Sequence, residues 1–214
     1  MSVDIAIQLL SSTDGRDKVY KTMENLSKFY GCFANQRCAG MLTGFAQRVS
    51  DGRSLMRLGK WVTNAQKLID NADKNLSSQS VEETLDNSRV FCDFCYIILD
   101  NILYLNRFLF MTLKHEQNYI RRAKVFQFWT FFFACALDII KMVRKYREEK
   151  ARPATKEILN FLRNFCDFLV ALSGVRYLSF VYRPSAAWLS LFSIVSGSIA
   201  TTQQVKLLQA QSEK

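Results

Sequence analysis

Residues Arg53 to Ile69, RSLMRLGKWVTNAQKLI, are the stretch from which this chain is read. At about 100° per residue on a helix, Arg53, Arg57, Lys60, Asn64 and Lys67 fall in a narrow polar arc. Leu55, Leu58, Val62 and Ile69 gather on the opposite side, with Trp61 and Leu68 together at one border. A helix with a basic polar face, a strong apolar face and an aromatic at its edge can lie flat in a lipid headgroup layer, apolar side down. The same pattern suits a surface helix packed on its own protein, and the stretch alone leaves both readings open.

Composition narrows the choice. The 214 residues are 49% hydrophobic and 13% aromatic, with 17 Phe against 3 Trp and 8 Tyr, a length that buries one core or at most two. Only 2 Pro and 8 Gly punctuate the chain, too few for a loop-rich sandwich or barrel, so the expected class is all-α. The net charge of +10 calls for an anionic partner, nucleic acid or membrane. Here the basic residues flank long Phe-rich apolar segments instead of covering a soluble fold, which selects anionic phospholipid over nucleic acid. Cysteines at 32, 38, 92, 95, 135 and 166 show no disulfide framework and suit a reducing compartment. The opening MSVDIAIQLL lacks the basic region and cleavage site of a secretory signal, and QSEK is not a retrieval signal, so any targeting is expected to be internal.

Along the chain, Asp14 is the expected N-cap of a helix starting at Gly15 or Arg16, with Val19, Tyr20, Met23, Leu26, Ser27 and Tyr30 at three- and four-residue steps. This second amphipathic helix is expected to pack on the Arg53 to Ile69 helix. Residues 71 to 88 read as a polar linker in which Ser80-Val-Glu-Glu83 forms a capping box, placing a boundary near residue 80. Residues 91 to 113 are long enough to span a bilayer, but Asp93, Asp100 and Arg107 repeat every seven residues and must face a bundle interior or a partner helix. Residues 125 to 143 hold 13 consecutive uncharged residues before Asp138, which suits an interfacial or buried helix better than a span. A polybasic run at 141 to 156 marks the cytosolic side. Residues 158 to 182 are apolar around Arg163, Asp167 and Arg176, and Pro184 to Val205 has no ionisable residue and carries Ser196-Gly197-Ser198, a small-residue step for close helix packing and self-association. If all four apolar segments crossed, Lys114, Arg121, Arg122 and Lys124 would lie opposite the polybasic run, against the positive-inside rule; the runner-up topology keeps four spans and accepts a basic lumenal loop.

The expected architecture is therefore an integral membrane helical protein with N-terminal amphipathic helices and a C-terminal transmembrane hairpin, residues 158 to 182 and 186 to 205, with both termini cytosolic. Its regions are residues 1–80, cytosolic and amphipathic; 81–157, apolar helices with the polybasic connector; and 158–214, the hairpin and a short tail. Catalytic chemistry is not expected. Cys92-Asp93-Phe94-Cys95 is a lone CxxC without a second ligand pair, His115 is the single histidine, and no Gly-rich phosphate loop occurs. Glu148 and Glu149 balance charge inside a basic run, and no metal or cofactor is implied.

Thr13-Asp14-Gly15-Arg16-Asp17-Lys18, following Ser12 and leading into Val19-Tyr20, resembles the opening signature of the peroxin-11 family of peroxisomal membrane proteins. Arg53-Ser54-Leu55-Met56-Arg57-Leu58-Gly59-Lys60-Trp61 is similar to the family's second block, and the C-terminal apolar segment with Ser196-Gly197-Ser198 has the third expected feature. The linker and the Phe-rich middle look most like kinetoplastid glycosomal members. The resemblance implies a peroxisome-type membrane, elongation and fission of the organelle, self-association into a homo-oligomer, import by the cytosolic receptor for membrane proteins, and cooperation with the fission machinery. Two functions from different classes follow. One is membrane remodelling by the Arg53 to Ile69 helix inserted in the cytosolic leaflet. The other is a pore for small metabolites, motivated by the charges Asp93, Asp100, Arg107, Arg163, Asp167 and Arg176. A weaker third is a scaffold that recruits fission proteins through residues 141 to 156.

Overall fold

The computed structural model describes residues 3–74, 80–108, 110–149, 154–175, 180 and 182–212, and the expected all-α class holds across them, with no strand among the described residues. The helices are α1 (Val3–Ser11), α2 (Thr13–Gly31), α3 (Gln36–Met56), α4 (Lys60–Lys74), α5 (Val81–Arg107), α6 (Glu116–Glu149), α7 (Thr155–Gly174) and α8 (Ala186–Ser212). Arg176, Lys150, Arg152 and the centre of the polar linker lie outside the described residues.

Two compact units form. The first is Met1–Met56 with Pro184–Lys214, and the second is Arg57–Arg183.

In the first unit α2 packs against α1, α3 and α8. The cap of α2 is Ser12, not Asp14: its hydroxyl accepts the Gly15 N–H at 3.1 Å and donates to the Leu9 carbonyl at 3.1 Å, so one side chain joins the end of α1 to the start of α2. Between α2 and α3, which form a helical hairpin, Asn35 Oδ1 accepts the Cys38 N–H at 3.0 Å and starts α3. α8 lays small residues inward, with Ser190, Ser193, Ser196 and Ala200 all buried. A Cβ on Gly197 would stand 2.5 Å from Thr22 Oγ1, so the glycine is what lets α8 approach α2.

In the second unit α5 packs on α4 and α6, and α6 packs on α7. Ser80 and Glu83 form the expected capping box, Glu83 N–H donating to Ser80 Oγ and Ser80 N–H to Glu83 Oε2. The core is aromatic and aliphatic: Phe128, Ala171 and Val175 are buried, with Val125, Phe131, Phe168 and Leu172 packed on them.

Beyond the cap of α2, three expectations need revision. Arg53 to Ile69 is not one helix: α3 ends at Met56, Arg57-Leu58-Gly59 make a turn, and Gly59 takes φ +80°, a left-handed conformation that ends a helix at no steric cost only for glycine. The C-terminal hairpin is not supported: α7 packs on α6 within the second unit and α8 on α2 within the first. Among the described residues the one helix long and apolar enough to cross a membrane lies within α6, Glu116–Glu148, not in α8. α8 carries no charge before Lys206, but its serines, threonines and glutamines dilute its hydropathy. α6 reaches span length because the uncharged run 125–137 continues through Asp138 into Ile139 and Ile140 in a single helix.

Candidate membrane interface

The polar arc of Arg53 to Ile69 divides between two jobs. Arg53, on α3, is turned into the first unit, its Nε 2.9 Å from Asp17 Oδ1 and its Nη1 2.8 Å from Glu24 Oε2 on α2. Burial pushes the Glu24 carboxyl up, but Lys28 and Arg53 beside it more than offset this and hold it below the ordinary carboxylate range. Arg57 and Asn64 of the arc, with Asn71 beyond it, dock α4 on α5. Arg57 Nη2 lies 3.2 Å from Asp100 Oδ2 and Nη1 donates to Tyr96 Oη at 3.2 Å. Asn64 Nδ2 donates to Asp93 Oδ2 at 2.8 Å, and Asn71 Nδ2 to Asn87 Oδ1 at 2.6 Å. Arg57, Asn64 and Asn71 recur every seven residues, and Asp100 and Asp93 do the same on α5, so the two stripes meet rung by rung as antiparallel neighbours. The expected partner helix of the charged α5 stripe is therefore α4.

With the polar side spent on α5, the apolar side faces outward. Val62 is 54% exposed, Ile69 56% and Trp61 41%. Ala65 lies between them at about 100° per residue. Leu58 in the turn is also exposed, as is Leu55 at the end of α3 in the first unit, whereas Leu68 is half-buried beside Asn64. Trp61 keeps one edge on Phe94, ring centroids 6.5 Å apart. Lys60 and Lys67 are exposed on the far side of the docking asparagines from this strip. Each large half-exposed side chain would gain about 1 kcal/mol on entering an apolar phase. The strip is thus the reverse of an ordinary surface helix, which buries its apolar face and exposes its polar one.

α6 carries a second outward apolar face. Trp129, Phe132, Ile139 and Val143 are all exposed and fall within about 80° of one another around the helix. Only 28% of the most apolar stretch of α6 is covered by the rest of the chain. At the polybasic end Lys145 Nζ bonds Glu157 Oε1 at 2.7 Å and Arg144 Nη2 lies 2.9 Å from Glu82 Oε1. Glu157 is held below the ordinary range by Lys145 and the Ala154 N–H.

The family-type residues near the N-terminus are architectural. Gly15 is buried, and a Cβ there would stand 2.0 Å from the Leu9 carbonyl oxygen. Asp17 receives Arg53, and Lys18 Nζ donates to Gln204 of α8. Arg16 is half-buried, and Thr13 and Asp14 are exposed at the start of α2. Ser196 is fully buried and accepts from Lys21 Nζ at 2.8 Å, Gly197 meets Thr22, and Ser198 remains exposed. Cys92 is buried with a free thiol, and among the described residues no group of acids, cysteines and histidine could hold a metal ion. Sequence reasoning missed the α4–α5 rungs, although the matching seven-residue steps of Arg57 and Asn64 and of Asp93 and Asp100 were visible.

This is an all-helical protein with outward apolar surfaces on α4 and α6, of the kind that meets lipid. The chain belongs to the Peroxisomal biogenesis factor 11 (PEX11) family, which it matches over residues 3–158. No curated protein and no solved structure matches it. The family is linked to peroxisome proliferation and membrane remodelling, it places the chain at the peroxisomal membrane, and it is a family of biogenesis factors, not of enzymes.

Proposed function

We propose that this chain elongates a peroxisome-type membrane and promotes its division by seating the apolar face of α4 in the cytosolic leaflet. The observation that carries this is the orientation of α4: Asn64 and Asn71 hold it to α5, so Val62, Ile69 and Trp61 stand outward, with Lys60 and Lys67 exposed on the opposite side of the helix. Wedging one leaflet expands it relative to the other, and self-association of many copies adds the curvature up. α6 holds the chain in the bilayer as one crossing; two termini in the cytosol, where the receptor for membrane-protein import and the fission machinery act, require a second crossing, and no other described helix is long and apolar enough to supply it. On the resemblance to kinetoplastid members, the organelle we propose is a glycosome.

The test is tubulation of anionic vesicles by the full chain. Because Val62 touches solvent, Val62→Glu leaves the fold intact while placing a charge on the lipid face, and tubulation is expected to be lost. Tubulation unchanged by the substitution would sink the proposal.

A further inference from the structure

The α2–α3 hairpin exposes large apolar groups at its tip that nothing in its own unit covers. Phe33 in the turn is 70% exposed, and Tyr30 at the end of α2 and Met41 in the second turn of α3 are similarly open, followed by Phe45. On α3, Arg37, Met41, Phe45 and Arg48 fall within about 80° of one another, on the side away from Ala46 and Arg53, which face α2. The charge is one-sided. From Asn25 to Ser50 the chain has Lys28, Arg37 and Arg48 and no acidic residue. Lys28 is already joined to Glu24, but Arg37 and Arg48 are exposed beside the apolar groups.

Exposed aromatics ringed by cations with no acid among them match a surface that is apolar below and anionic above. We propose that the hairpin tip is a second, separate membrane-docking element, which inserts Phe33, Tyr30 and Met41 into an anionic lipid surface with Arg37 and Arg48 on the phosphates. It rests on the membrane reading above but not on α4. A second copy of the chain fits less well, because two such tips would bring Arg37 and Arg48 against their own kind with no acid to receive them.

Two exposed thiols, Cys32 and Cys38, lie in the hairpin, and Cys92, Cys135 and Cys166 are buried. In the full chain, Cys32→Ser with Cys95→Ser leaves Cys38 for a polarity-sensitive fluorophore. The protein is reconstituted into vesicles with or without phosphatidylserine, carrying a headgroup-depth spin-labelled lipid as quencher. The expected result is blue-shifted, quenched emission on phosphatidylserine vesicles that is lost in high salt. Phe33→Ser is expected to lower the docking equilibrium of the tip about tenfold, the ratio supplied by burying one aromatic side chain. Val62→Glu should abolish tubulation and leave Cys38 quenched, so failure of the α4 reading and of this one are told apart. A dye that stays in water on both lipids overturns the proposal. So does a shift that follows protein density and ignores phosphatidylserine, which would assign the tip to a second copy.

Discussion

Glu24 is buried on α2, and it is tolerated there because Lys28 and Arg53 both reach its carboxylate. Its native pKa is lowered from the ordinary 4.5, so the unfolded chain takes up this proton first on acidification. The stabilisation is fully present above pH 4.5 and fades as the pH falls through the lowered native value. Denaturation of the full chain followed against pH should show this acid-side loss. Glu24→Gln should remove that component and cost about 1.5–3 kcal/mol at neutral pH, the range for a hydrogen bond to a charged group. Gly15 shows the limit of reading single residues. The block Thr13 to Lys18 is recognisable by its letters, yet the capping role falls to Ser12, and the need for glycine comes from the Leu9 carbonyl 2.0 Å from where a Cβ would be. No local rule predicts that approach, because the atom belongs to the preceding helix.

At the scale of helices, periodicity located most of the elements and misjudged which way some of them face. The amphipathic pattern at Arg53 to Ile69 is real, but Gly59 splits it, so that Arg53 serves α2 while Arg57 and Asn64 serve α5. A polar arc is ordinarily read as the wet side. Here hydrogen bonds between amide and carboxylate replace water along it, and the apolar side is left outward. The small-residue step in α8 is likewise a close-packing device, and its observed partner is α2 of the same chain. Gly197→Val should force α8 off α2, since Thr22 Oγ1 would meet the new Cβ at 2.5 Å. A loss of about 1–3 kcal/mol is expected, visible as faster hydrogen exchange in α2 and α8 with α5 to α7 unchanged, because the second unit has its own core.

For the molecule as a whole, the proposed arrangement predicts that tags at both termini are digested by protease in intact organelles. A tag protected at one end only would require an odd number of crossings. The sequence by itself determined the helical class, the basic and apolar balance, the family, the capping box at Ser80 and the amphipathic character of residues 53 to 69. These depend on composition, on three- and seven-residue spacing and on contacts within a few residues, all of which are carried locally. Only the tertiary structure decided which helices share a unit, that α8 rests on α2 while α7 rests on α6, and that the polar arc of α4 is its docking face. The reason is that an amphipathic helix specifies two faces but not their occupants. That choice is settled by the complementary stripe on α5, some thirty residues further along the chain (Asn64 to Asp93).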